Sequence, residues 1–196
     1  MLWGIAGRRG CGKTHLMIQC AYWLAQRGRL ILAYDPVHQF PEQFRRPFSD
    51  VAEADALYPI VAVSDCEPDD LMGLALSVGD CVVAVDEFDL LCSANTWKSE
   101  HARTIVRRGR HFRVGLIATF QRFVNVHGDF IALSNRISVF QTTKKSDVDR
   151  VAEELNEECA EAVKRLAPYE FVTWGGSESR VSRLGSGGNP PLDKAI

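Results

Sequence analysis

No run of apolar residues in this 196-residue sequence approaches the ~20 that a membrane-crossing helix needs. No secretory leader is expected either, because the first predicted strand starts at residue 2. The six cysteines (Cys11, Cys20, Cys66, Cys81, Cys92, Cys159) are scattered and include no C-x-x-C pair. Several lie in apolar segments, so the expectation is reduced, buried thiols in a cytoplasmic protein rather than zinc ligands or disulfides. An excess of one charge is also missing: Lys and Arg number 23 against 25 Asp and Glu, a net charge of −2. That balance argues against a protein that coats nucleic acid generally, while leaving room for a local basic stripe. No internal repeat is visible, and a second domain is not expected. What is present, 46% hydrophobic and 24% charged residues, is ordinary for a globular chain long enough to bury one core. Residues 1–184 read as one domain and the Gly/Pro-rich stretch 185–196 as a loose tail.

Short apolar runs alternate with helical periodicity. Leu2-Trp3-Gly4-Ile5, Leu30–Tyr34, Ile60–Val63, Cys81–Val85, Val114–Thr119 and Ile137–Phe140 read as strands. Helices are expected at Thr14–Arg27, stopped by Gly28, near Pro68–Ser77, at Trp97–His111 and at Ser146–Asn156, where Asp147 and Asp149 fall in the first turn. Residues 41–57 read as a surface connection, and Tyr169–Trp174 with Arg180–Leu184 as a closing β-hairpin. Cys81–Val85 is apolar throughout, the composition of a strand covered on both faces. The pattern predicts an α/β fold: a mostly parallel central sheet with helices on both faces and a short C-terminal hairpin.

One turn in this pattern carries chemistry. Gly7-Arg8-Arg9-Gly10-Cys11-Gly12-Lys13-Thr14 matches G-x-x-x-x-G-K-T, between a strand and a helix, with His15 next in line. Glycines let successive backbone N–H groups surround one anion, and the positive end of the helix dipole points at the same place. Lys13 is expected at the β- and γ-phosphates of ATP or GTP, and the Thr14 hydroxyl in the shell of a magnesium ion.

Val85-Asp86-Glu87 ends the most apolar strand with adjacent carboxylates. In parallel α/β sheets ligands bind beyond the carboxyl ends of the strands, so Asp86 is the expected magnesium ligand and Glu87 the base that polarises the attacking water. Asp89 reads as a helix-start residue. Gln121 closes the next strand, where an amide can contact the γ-phosphate or orient water. Arg103, Arg107, Arg108, Arg110 and Arg113 lie between these strands. Such a cluster is either a solvated helix face or the source of a guanidinium that enters a neighbouring copy's site.

Taken together these pieces resemble the FtsK–HerA superfamily of ring-forming DNA pumps. The resemblance is carried by Gly109-Arg110-His111-Phe112-Arg113-Val114-Gly115-Leu116-Ile117-Ala118-Thr119-Phe120-Gln121-Arg122, which looks like that family's "GRHxGxxLIxATQR" segment. It continues through Leu133–Phe140 to a helix opening at Asp147-Val148-Asp149, and Tyr34-Asp35-Pro36-Val37-His38-Gln39-Phe40 looks like the family's "D-P-H-G-E-Y" turn. Phe120 stands where the family's threonine often sits, Phe123 replaces a proline, and Gln39 takes the place of a glutamate. The resemblance spans about residues 1–155.

What it implies is a RecA-like (ASCE) P-loop NTPase core that hydrolyses ATP with Mg2+ between subunits of a ring, a hexamer, and drives double-stranded DNA through the pore. It also implies a Walker B role for Asp86 and Glu87, a sensor role for Gln121, and a trans-acting finger at Arg110 or Arg107. No base-reading module is visible, so DNA contacts are expected at phosphates, without sequence preference. Among relatives, so compact a chain looks like the genome-packaging ATPases of membrane-containing icosahedral viruses, tectivirus-like and archaeal, working in the host cytoplasm with capsid or membrane vertex proteins as partners. The alternatives are a Zot-like phage assembly ATPase, a nucleotide-dependent switch or scaffold, and a small-molecule kinase.

Overall fold

A computed structural model describes residues 1–53, 59–176 and 178–185. An eight-stranded sheet is built from β1 (Leu2–Ala6), β2 (Leu30–Tyr34), β3 (Ile60–Val63), β4 (Cys81–Val85), β7 (Gly115–Phe120), β8 (Arg136–Phe140), β9 (Glu170–Gly175) and β10 (Glu178–Arg183). Across the sheet the order is β10-β9-β8-β1-β7-β4-β2-β3. The six strands from β8 to β3 are parallel, and β9 and β10 add the antiparallel hairpin. The mostly parallel sheet with a C-terminal hairpin is thus as expected. A two-stranded ribbon, β5 (Cys92–Ser93) with β6 (Thr96–Trp97), stands apart from it.

Side chains alternate along each strand, so each strand feeds two cores. On one face, Trp3, Ile5, Ile31, Ala33, Ile60, Ala62, Val82, Ala84 and Ile117 pack against α1 (Lys13–Ala25) through Leu16, Met17, Cys20 and Leu24. On the other, Leu32, Val61, Val63, Val83, Val85, Leu116, Ala118 and Phe120 pack against α2 (Pro68–Val78), α3 (Glu100–Phe112), α4 (Gly128–Leu133), α5 (Lys145–Glu154) and α6 (Glu157–Arg165). Each fully buried Val, Leu, Ile or Phe contributes about 1.5–3 kcal/mol, which explains why strands with no polar face are stable here. Trp3 Nε1 donates to Ser138 Oγ at 3.0 Å, and Ser138 bonds Thr173 at 2.8 Å, so the buried polar groups of β1, β8 and β9 satisfy one another.

Two expected helices need correction. Trp97 is not helical: the chain reverses at residues 94–95 and pairs as β5–β6, and the Trp97 ring stacks on His127 with centroids 4.7 Å apart. Helix α3 starts only after Ser99, whose Oγ accepts from Ala102 N at 2.8 Å. The helix expected to run to Asn156 stops at Glu154. Asn156 is extended, and its side chain caps α6, accepting from Cys159 N at 2.7 Å. The connection at 41–57 contains 3-10 turns at Glu42–Phe44 and Phe48–Glu53. Its residues 54–57, and residues 186–196 of the expected tail, lie outside the described residues.

All six cysteines are free, four buried and Cys11 and Cys66 half-buried. Burial pushes the Cys81 thiol up to about 12 and those of Cys66 and Cys159 up to about 11. Among the described residues no helix is long and apolar enough to cross a membrane.

Candidate nucleotide-binding site

The loop from Gly7 to Gly12 leaves the carboxyl end of β1 and opens into α1 at Lys13. Gly10 and Gly12 have φ of +78° and +107°, angles that cost a residue with a Cβ. At Gly12 a Cβ would also collide with Leu184 Cδ1, so the end of the hairpin is packed onto the mouth of α1. Lys13 is buried, and its Nζ donates to the Arg8 carbonyl at 3.3 Å, folding the ammonium over the loop. A cavity of about 560 Å³ lies against the loop, lined by Arg9, Gly10, Gly12, Lys13, Thr14, His15, Tyr34, Pro36, Val37, Gln39, Asp86, Glu87, Leu90 and Gln121.

Sheet order explains how distant segments meet there. Strand β7 lies between β1 and β4, with Ile5 opposite Thr119 and Val85 opposite Ala118. The carboxyl ends of β1, β7 and β4 therefore lie side by side and deliver the loop, Gln121 and the two acids to one edge. Thr14 Oγ1 donates to Asp86 Oδ2 at 2.9 Å, and Gln121 Nε2 donates to Glu87 Oε1 at 3.2 Å. Arg9, Gly10, Gly12, Lys13, Thr14 and His15, both acids and the amide thus share one cavity, whereas Gly7, Arg8 and Cys11 line adjoining ones.

The donor set fits magnesium. Thr14 and Asp86 offer two adjacent hard oxygens, and among the described residues no group of three or more His, Cys, Asp or Glu can hold a metal. Mg2+ is commonly held this way, by one or two protein oxygens with phosphate and water oxygens completing its octahedron.

Two features were not foreseen. Thr119 is fully buried, its hydroxyl donates to Asp86 Oδ1, and it accepts from Glu87 N at 3.2 Å. Glu87 itself sits at φ 55° and ψ 53°, a left-handed conformation that costs a side-chain-bearing residue about 1–3 kcal/mol and is common at functional sites. The available signal was a lone hydroxyl interrupting the apolar run Leu116–Phe120 near its carboxyl end. Phe120 points the other way, into the core beside Phe123 and Phe130.

The turn after β2 is built by Asp35, buried, whose carboxylate accepts from Gln39 N at 2.7 Å and Phe40 N at 2.9 Å. That turn carries Gln39 to the cavity wall. His15 lines the same cavity and bonds Gln19 at 3.2 Å. Asp89 belongs to a 3-10 turn, Phe88–Leu90, rather than to a longer helix. Asp147 stands in the first turn of α5 as expected and is buried there, accepting from Val124 N at 3.2 Å and Arg122 Nε at 3.3 Å.

The arginines are elsewhere. Arg107 Nε donates to Asp129 at 2.8 Å, and that hydrogen bond holds the Asp129 carboxyl below its usual value. Arg103 pairs with Glu100 at 3.1 Å and Arg113 with Asp80 at 2.8 Å. The Met1 amino group is held low by burial first and then by the charges of Arg29 and Arg110. Arg110 lies in the last turn of α3, which hands the chain to the start of β7 beside Met1, at the amino edge of the sheet. Strand β1, five residues and so about 16 Å long, separates that edge from the loop. Arg110 does not reach its own chain's loop.

No protein-family model matches the sequence, and no curated protein matches it. Solved structures do. The genome packaging NTPase B204 of Sulfolobus turreted icosahedral virus 2, in complex with AMPPCP, superposes with a TM-score of 0.81 at 18% identity, over 93% of this chain and 96% of that one. VirB4 of Thermoanaerobacter pseudethanolicus gives 0.67 at 11% identity over 92% and 88%. The N-terminal domain of zonular occludens toxin from Neisseria meningitidis gives 0.55 at 11% over 94% and 94%. The chain has the P-loop NTPase fold of these proteins.

Proposed function

We propose that this chain is an ATPase that moves double-stranded DNA, and that its task is packaging a viral genome into a preformed capsid. The observation that carries the reading is the convergence at one cavity of Lys13, the Thr14–Asp86 contact at 2.9 Å and the Glu87–Gln121 contact at 3.2 Å. A phosphate loop alone serves many reactions. A second acid directly after the metal-binding one, beside an amide, is suited to hydrolysis, because it can take a proton from water attacking the γ-phosphate.

In this reading the loop's backbone N–H groups and Lys13 bind the phosphates, Thr14 and Asp86 hold Mg2+, Glu87 polarises water and Gln121 orients it. A magnesium ion there would neutralise charge on the β- and γ-phosphates. The packaging assignment is supported by the fold shared with B204 over nearly the whole of both chains. A guanidinium supplied in trans is favoured by the position of Arg110, remote from its own loop but free to face another copy in a ring. The basic end of α3 would meet DNA phosphates without reading bases. Work in the host cytoplasm at a capsid vertex belongs to the same reading.

The test is ATP turnover with and without double-stranded DNA, then particles assembled with and without the chain. The expected results are stimulation by DNA, and full capsids only when the chain is present. Turnover indifferent to DNA, or full capsids without the chain, overturns the motor. A phosphorylated small acceptor accumulating in place of free phosphate would identify a kinase.

A further inference from the structure

Asp86 and Thr119 arrive on the same sheet face by register. With Val85 opposite Ala118, the next residues on each strand are neighbours, and both continue the rows that face α1, Val82-Ala84-Asp86 and Ile117-Thr119. Thr14 opens that same helix. The Thr119 hydroxyl therefore lies beside Asp86, and it does two things at once. It donates to Asp86 Oδ1, leaving Oδ2 to Thr14, and its lone pair accepts the Glu87 amide hydrogen at 3.2 Å, a hydrogen it shares with Asp86 Oδ1, also at 3.2 Å. Burial matters: Thr119 has no solvent exposure, so its own hydroxyl stays with these two partners rather than exchanging with water.

We infer that Thr119 is a positioning residue of the hydrolytic centre, a single hydroxyl that orients the metal-binding carboxylate of Asp86 and holds the left-handed backbone of Glu87. The inference rests on the ATPase reading above. The hydroxyl fixes which oxygen of Asp86 faces Thr14 and the metal. By accepting the Glu87 N–H, it also favours the φ of 55° that turns this carboxylate back towards Gln121. A carboxylate that coordinates a metal commonly depends on such a partner, and loss of one costs about 10–100-fold in metal affinity or activity. Valine has the shape of threonine but neither donor nor acceptor, whereas serine keeps both.

The experiment compares wild type with Thr119→Val and Thr119→Ser in the full chain. One readout is the affinity for a fluorescent ATP analogue, measured with Mg2+ and with EDTA. In wild type Mg2+ should tighten binding. Thr119→Val should bind as wild type does in EDTA but lose about tenfold or more of the tightening by Mg2+. Its turnover should fall about 10–100-fold, and Thr119→Ser should restore both within about threefold of wild type, since it keeps both hydrogen bonds.

A Thr119→Val protein that retains the full Mg2+ effect and wild-type turnover overturns the inference, and so does one that merely melts at lower temperature with the Mg2+ effect intact. If Thr119→Val does not fold, Thr119→Ala against Thr119→Ser makes the same comparison. A wild-type chain that neither binds nucleotide nor hydrolyses it overturns the ATPase reading itself, an outcome separate from these.

Discussion

Gln121 Nε2 donates to Glu87 Oε1 at 3.2 Å, joining the ends of two strands 34 residues apart in sequence. A carboxylate restrained by an amide gains a direction, which is what a base aimed at one water needs. Gln121→Ala should leave ATP affinity within about twofold of wild type and lower kcat about 10–100-fold, since small misplacement of a catalytic group has that effect. Paired measurements of nucleotide binding and steady-state turnover check this. Loss of affinity with kcat intact would instead give Gln121 a binding role.

Glu87→Gln keeps the shape of the side chain but cannot accept a proton. It should hold ATP and slow hydrolysis by about 10²–10⁴-fold, the usual contribution of a general base. Wild-type turnover in a single-turnover assay would falsify that role.

Lys13→Ala removes the only side-chain ammonium that lines the cavity among the described residues. Charge-assisted hydrogen bonds contribute about 1.5–3 kcal/mol, so nucleotide affinity should drop about 10–100-fold, readable by calorimetry. The bond from Lys13 to the Arg8 carbonyl is long, 3.3 Å, so little folding stability should be lost with it.

Gly12→Ala places a methyl against Leu184 at a φ of +107°. The expected loss of stability is about 1–3 kcal/mol, seen as a lower urea midpoint. Adding Leu184→Ala should recover only part of it, because the backbone angle stays unfavourable.

The Arg107–Asp129 pair gives a pH dependence with a definite sign. The folded state holds the Asp129 carboxyl below its usual value, so the pair's contribution is complete above the ordinary Asp value of about 3.9. It fades as pH falls through the lowered one. The stability gap between wild type and Asp129→Asn should be present at pH 5 and close in acid. Both side chains are partly exposed, so the gap is expected to be small. A gap that widened in acid would contradict the pairing.

The sequence alone was enough for the phosphate loop, the Asp86-Glu87 strand end, the parallel sheet and the closing hairpin. Each is written in contiguous residues, whose spacing and apolar runs encode local geometry. Its errors are also local in origin. Residues 97–99 and 153–157 carry helix-like composition, and only the pairing of Trp97 with Cys92 and the capping by Asn156 show where those helices really begin and end. Tertiary structure decided the rest. The insertion of β7 between β1 and β4 set Thr119 against Asp86 and Gln121 against Glu87, the packing of α3 on α4 tied Arg107 to Asp129, and the handover from α3 to β7 left Arg110 at the far edge of the sheet. Strand order and register are contacts between residues far apart in the chain, fixed by which apolar faces can be buried together, and no periodicity along one segment carries that information.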